Sequence, residues 1–138
     1  MSTISVCPAC GQKNRIPIVS SGHVRCASCH TDLAWLVEAG DDNFDEATRT
    51  PLLVLVDLWA PWCGPCRAVA PAVETAAGEF AGRLKVVKVN VDEARGVASR
   101  FRVQGIPALL LLRDGKVVDR QVGAIPTNRL LDWVEAQL

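Results

Sequence analysis

Apolar residues run almost unbroken over Leu52–Ala60 and again over Leu84–Val91, the pattern of strands covered on both faces. Between them, Cys63–Phe80 reads as a helix. Pro65 suits its first turn, and Pro71 is expected to bend it by removing one hydrogen bond. Asp92–Phe101 is a second, less periodic helix candidate. Pro107–Leu112 and Lys116–Val122 flank Asp114-Gly115, a two-residue hairpin signal, so this part of the sheet is predicted to be antiparallel. Leu130, Leu131, Val134 and Leu138 fall on one helical face, expected to pack on the sheet. A weaker strand at Leu33–Glu38 and a short helix near Asn43–Thr48 complete the pattern. The expected fold is α/β, a mixed sheet with helices on both faces.

Residues 1–31 break this pattern. They are rich in Cys, Ser and Gly and hold too few large apolar groups to fold without a staple. The expected organisation is a small module over 1–31, a linker and possible first strand over 32–43, and the α/β domain over 44–138. A chain of 138 residues, 49% of them apolar, has room for that arrangement and for a real core. Lys and Arg total 15 against 15 Asp and Glu, with no basic block, which argues against nucleic acid as a partner. The acidic group Asp41, Asp42, Asp45 and Glu46 reads as a solvated linker and helix start. No stretch reaches the ~18 apolar residues of a membrane span. Met1–Cys10 lacks the charged and apolar regions of a signal peptide, so the cytoplasm is the expected location. Nothing in the pattern calls for an obligate oligomer, and a monomer is expected.

Six cysteines form three C-x-x-C pairs. The last lies in Trp62-Cys63-Gly64-Pro65-Cys66, between a strand and a helix. Thiol–disulfide exchange needs a thiolate, a second thiol within reach, and access for a substrate. At the start of the helix, unpaired N–H groups and the dipole favour the Cys63 anion. Cys66, on the first turn, can close the internal disulfide. Cys63 is therefore expected to attack and Cys66 to resolve, with Gly64 and Pro65 keeping the turn tight and Trp62 limiting water beside the nucleophile. A lone C-x-x-C is ambiguous between metal ligation and redox chemistry. The flanking strand and helix, and the lack of a further pair to complete a metal site with it, favour redox chemistry.

Cys7-Pro8-Ala9-Cys10 and Cys26-Ala27-Ser28-Cys29 are separated by 15 residues, the spacing of two knuckles that share one tetrahedral ion. Structural zinc is the expected occupant; rubredoxin-like iron and disulfides are the alternatives. Four cysteines fill such a site, leaving His23 and His30 as surface histidines. A closed site offers no open position to a substrate, so its ion is expected to supply folding free energy.

The stretch Asp57-Leu58-Trp59-Ala60-Pro61-Trp62-Cys63-Gly64-Pro65-Cys66-Arg67 resembles the active-site segment of thioredoxins. The resemblance covers roughly residues 44–138 and includes Gly105-Ile106-Pro107, Asp114-Gly115 and Val122-Gly123-Ala124. With the N-terminal cysteines, it is most similar to the zinc-containing thioredoxin 2 type of bacteria. It implies a thioredoxin fold and protein disulfide reductase activity. It also implies regeneration by an NADPH-dependent thioredoxin reductase, oxidised protein substrates, and no cofactor for the redox step beyond the Cys63–Cys66 disulfide.

Position alone leaves Asp57 open between a carboxylate satisfied at the strand end and one that takes a proton from Cys66. The resemblance implies the second, with Lys88 as its neighbour rather than an exposed strand-end lysine. It further implies a cis Pro107, with Ile106, Pro107 and Gly123 beside Trp62, Gly64 and Pro65 where substrate binds. Two positions depart from the family: Ala108 stands where Thr is usual, and Leu58 replaces a common aromatic. Trp59 is expected to pack against the active-site turn, and Trp35 and Trp133 to sit in the core. A zinc-dependent redox-sensing or partner-binding module with little turnover is the alternative function. An intact pair of thiols argues against a pure binder. Gly-Pro between them argues against an oxidase or isomerase, which in the family usually carry histidine there.

Overall fold

The apolar run at the middle of the chain becomes β4 (Leu53–Trp59), the central strand of a five-stranded sheet. The computed structural model describes residues 3–20 and 22–138. Before β4 come a hairpin of β1 (Thr3–Val6) and β2 (Lys13–Ile16), then β3 (Trp35–Ala39) and α1 (Phe44–Thr48). After it come α2 (Gly64–Glu79), β5 (Leu84–Asn90), α3 (Arg95–Arg100), β6 (Ala108–Arg113), β7 (Lys116–Val122) and α4 (Thr127–Glu135). The sheet order is β3-β5-β4-β6-β7. β3, β5 and β4 run parallel, and β6 and β7 complete the sheet antiparallel, giving a thioredoxin fold.

Alternation along the strands separates two apolar layers. Leu53 and Leu55 of β4 face α2 and α4, meeting Val69, Val73, Leu130 and Val134. Val54, Val56 and Leu58 face the other way, toward Phe44, Val97 and Phe101. Each such fully buried side chain stabilises the fold by roughly 1.5–3 kcal/mol relative to exposure. Asp114 and Gly115 both take positive φ (54° and 78°), as a two-residue hairpin turn requires. Pro65 opens α2 and Pro71 lies within it. Trp35 is buried, and half-buried Trp133 packs on the α2 layer and donates to Asp119 Oδ2 at 2.7 Å.

Several expectations are corrected. Leu138 lies past the end of α4 and is 38% exposed, so the buried helix face holds only Leu130 and Val134, with Leu131 half-buried. α3 begins at Arg95, three residues later than Asp92. Its start is set by Asp41, whose carboxylate accepts from Gly96 N (3.1 Å) and Val97 N (2.8 Å). A Cβ on Gly96 would lie only 3.0 Å from Asp41 Oδ1, which explains a glycine there. Asp45 pairs with Arg100 at 2.6 Å. The acidic group is thus partly a cap and partly an ion pair. His23 is half-buried, with Nδ1 2.7 Å from Asp32 Oδ1; His30 is exposed.

The N-terminal hairpin shares the core with the sheet. Cys7, Ile16, Val24 and Cys26 are buried in the layer that holds Leu33, Trp35 and Val37. The segment leaving β2 crosses Trp35 and Lys85. Trp35 Nε1 donates to Pro17 O at 2.8 Å. Lys85, 1% exposed, donates to Ile18 O with its Nζ 4.0 Å from the Trp35 ring centroid.

Candidate active site and metal centre

β4 ends at Trp59, and a short turn delivers Cys63 to the N-cap of α2. Its Sγ accepts from Cys66 N at 3.1 Å, so the sulfur meets the unpaired N–H groups that a helix start exposes. Cys63 and Cys66 form a disulfide with Cα atoms 5.3 Å apart. Both are almost fully buried, packed with Ala60 against Trp59, Val91 and Ile106. Trp62 stands outside them, 68% exposed, its Nε1 donating to Asp92 Oδ2 at 3.0 Å. Arg67 holds the turn by donating to Pro61 O at 2.7 Å.

The Ile106–Pro107 peptide is cis, and Ile106 O lies 3.8 Å from Cys63 Sγ. Gly123 N donates to Pro107 O at 2.8 Å, joining the end of β7 to this loop. Cys63, Ile106, Pro107 and Gly123 therefore meet through the Ile106–Cys63 contact and the Gly123–Pro107 hydrogen bond, with Gly64 and Pro65 in the turn beside them. Ala108 is buried opposite Val122 and Leu58 is buried in the α1 and α3 layer, so neither departure from the family faces solvent.

Asp57 and Lys88 are register partners across β4 and β5. Asp57 Oδ1 is buried without a hydrogen-bond partner. Burial pushes its carboxyl from an ordinary 3.8 up to about 6, and the Lys88 charge partly offsets that rise. The half-buried Lys88 places Nζ 5.0 Å from the Trp59 ring centroid. Trp59 Nε1 is also buried and unpartnered.

At the N-terminus, Cys7, Cys10, Cys26 and Cys29 bring four sulfurs within 4.8 Å of one another. Cys7–Cys29 and Cys10–Cys26 are both 3.6 Å apart. A tetrahedron with metal–sulfur bonds of ~2.3 Å has edges of about 3.8 Å, so the quartet fits one ion. Each knuckle closes on its own backbone: Gly11 N donates to Cys7 O and His30 N to Cys26 O. The Cys29 N–H, opposed by burial and helped by Asn14, lowers the Cys26 thiol to about 6. At Cys10 the Gln12 N–H acts in the same sense, but the neighbouring sulfurs of Cys26 and Cys29 dominate and raise it to about 11. Adjacent sulfurs resist sharing negative charge unless a cation sits among them. Nothing in the sequence singles out Asn14 or Lys85, and Asp41 reads there only as a solvated acid; the contacts made by the folded chain give all three their roles.

A disulfide at a helix N-cap, packed against a cis-proline loop over a mixed five-stranded sheet, defines a thioredoxin-type thiol–disulfide oxidoreductase. The thioredoxin family model matches residues 36–136. Thioredoxin 1 of Nostoc sp. is 51% identical over 99 residues, covering 71% of this chain and 92% of its own length. Thioredoxin of Haemophilus influenzae is 39% identical over 104 residues, covering 75% of this chain and 97% of its own. The chain belongs to the thioredoxin family. The cysteine quartet lies outside the segment that the family model matches.

Proposed function

We propose that this chain is a general protein disulfide reductase using the Cys-Gly-Pro-Cys dithiol. The observation that carries the reading is Cys63 Sγ at the N-cap of α2, hydrogen-bonded by Cys66 N. In the reduced form, N–H groups there stabilise the Cys63 thiolate. The thiolate attacks one sulfur of a substrate disulfide, forms a mixed disulfide and expels the other sulfur as a thiolate. Cys66 then gives up its proton to Asp57 and attacks Cys63 Sγ. The Cys63–Cys66 disulfide forms, and the second substrate thiolate leaves. An Asp57 carboxyl that titrates near 6 accepts a proton from a thiol more readily than an ordinary carboxylate does. Lys88 supplies the nearby positive charge. The substrate lies against Trp62, Gly64, Pro65, Ile106, Pro107 and Gly123.

Two electrons return to the pair from NADPH through a thioredoxin reductase, and the clients are oxidised proteins of the cytoplasm. No helix is long and apolar enough to cross a membrane among the described residues. The chain acts as a monomer, with a module over 1–31, a linker with a first strand over 32–43, and the catalytic domain over 44–138. Cys7, Cys10, Cys26 and Cys29 hold one zinc ion, which supplies folding free energy to the module. That module marks the chain as the zinc-containing thioredoxin 2 type.

The test is NADPH-coupled reduction of insulin in the presence of thioredoxin reductase. Catalytic NADPH consumption is expected, abolished in both Cys63→Ser and Cys66→Ser. Binding of insulin without NADPH consumption, unchanged in Cys66→Ser, would instead support the sensing or partner-binding alternative.

A further inference from the structure

Asn14 lies on β2, only 7% exposed, between the two cysteine turns. Its side-chain amide is used on both ends. Oδ1 accepts from Ala27 N at 2.9 Å, inside the second knuckle. Nδ2 donates to Gln12 O at 3.0 Å and faces Cys26 Sγ at 3.5 Å. Gln12 O also accepts from Cys7 N at 2.8 Å, which closes the first knuckle. One side chain thus ties the two turns together and touches a sulfur.

We infer that Asn14 is a positioning residue of the metal centre, clamping the two knuckles and drawing charge from the Cys26 thiolate. This rests on reading the four cysteines as a tetrathiolate site. An N–H donor facing a thiolate stabilises its lone pairs and holds its rotamer. The sulfur then keeps its place in the quartet and reacts more slowly with electrophiles and oxidants. Partners of this kind typically alter metal affinity by about 10–100-fold.

The experiment uses the full chain with Co2+ and Zn2+, comparing wild type, Asn14→Ala and Asn14→Asp. The Asp variant keeps an acceptor for Ala27 N but loses the donor to sulfur; the Ala variant loses both. Chelator competition is expected to show about 10–100-fold weaker binding in both variants. The sulfur-to-cobalt charge-transfer band should move to lower energy, and peroxide should release Zn2+ faster. Insulin reduction and far-UV circular dichroism serve as folding controls. Both variants matching wild type in affinity and band position would overturn the inference. Weaker binding in Asn14→Ala alone, with the Asn14→Asp band unmoved, would overturn the contact with sulfur. Failure of wild type to take up either ion would overturn the tetrathiolate reading, and this inference with it.

Discussion

Asp57 and Lys88 face each other in register across the two central parallel strands, yet they do not form an ion pair among the described residues. The Asp57 carboxyl keeps one oxygen buried and unpartnered, while the Lys88 ammonium lies over the Trp59 ring. The charge is close enough to temper the carboxyl but not to satisfy it. A carboxylate in this position costs stability when ionised and gains basicity in return.

Stability should register that cost. The native carboxyl titrates at about 6, the unfolded one near 3.8. Between these values the native state holds the extra proton, so unfolding free energy falls as pH rises from about 4 to about 6, and stays lowered above. Asp57→Asn is expected to stabilise the protein at pH 7 by up to ~3 kcal/mol, and by much less at pH 4. Urea unfolding at the two pH values checks this; an equal effect at both would contradict it.

The same substitution should change the pH dependence of turnover. Wild-type insulin reduction is expected to rise with pH through about 6 as Asp57 becomes able to accept a proton. Asn at this position should leave a lower rate that does not rise there. A variant with an unaltered profile would remove Asp57 from the proton path.

Cys66→Ser should trap the intermediate. Without a resolving sulfur, Cys63 stays joined to client proteins, and non-reducing gels of treated extracts should show discrete adducts that disappear with dithiothreitol. Cys63→Ser should form none. The reverse pattern would exchange the two roles.

Lys85 makes a separate claim on stability. Burial lowers its ammonium from 10.5 to about 8, so the native state sheds its proton at lower pH than the unfolded chain. The unfolded state then binds more protons between about 8 and 10.5, and this group adds stability as pH rises through that window. Lys85→Met should remove that rise, so the gap between variant and wild type in thermal midpoint should change between pH 7.5 and 10. Parallel curves would count against a buried ammonium.

Metal removal should act locally. Cys7 and Cys26 are buried in the same layer as Ile16 and Trp35, so losing the ion should loosen the hairpin and uncover Trp35. Chelation is expected to erase hydrogen-exchange protection across residues 3–33 while the β4–β6 ladder keeps its own. Equal loss in both regions would mean that the module and the sheet melt as one unit.

Wherever local pattern decides the structure, the sequence was readable. Unbroken apolar runs announced β4 and β5, Asp114-Gly115 announced the hairpin, and cysteine spacing announced the sulfur quartet. The placement of Cys63 before a helix followed from the strand, the C-x-x-C turn and Pro65. What escaped notice depends on contacts between distant segments. Asp41 caps a helix 55 residues away, which made an apparently solvated acid structural. Lys85 reads as one more charge beside an apolar run until the β2 exit segment folds across it. Asn14 matters only because the hairpin sets it between two knuckles. Leu138 matched the helical period but fell beyond the last turn, where periodicity no longer dictates burial.

The most direct measurement is the equilibrium of the Cys63–Cys66 disulfide against NADPH and thioredoxin reductase or a defined glutathione buffer. Thioredoxins as a class lie at about −270 mV, a value typical of the family. The reductase account predicts a potential close to it, so that a glutathione buffer near about −200 mV leaves the pair oxidised. A potential near about −120 mV, in the range of a dedicated disulfide oxidant, would contradict it.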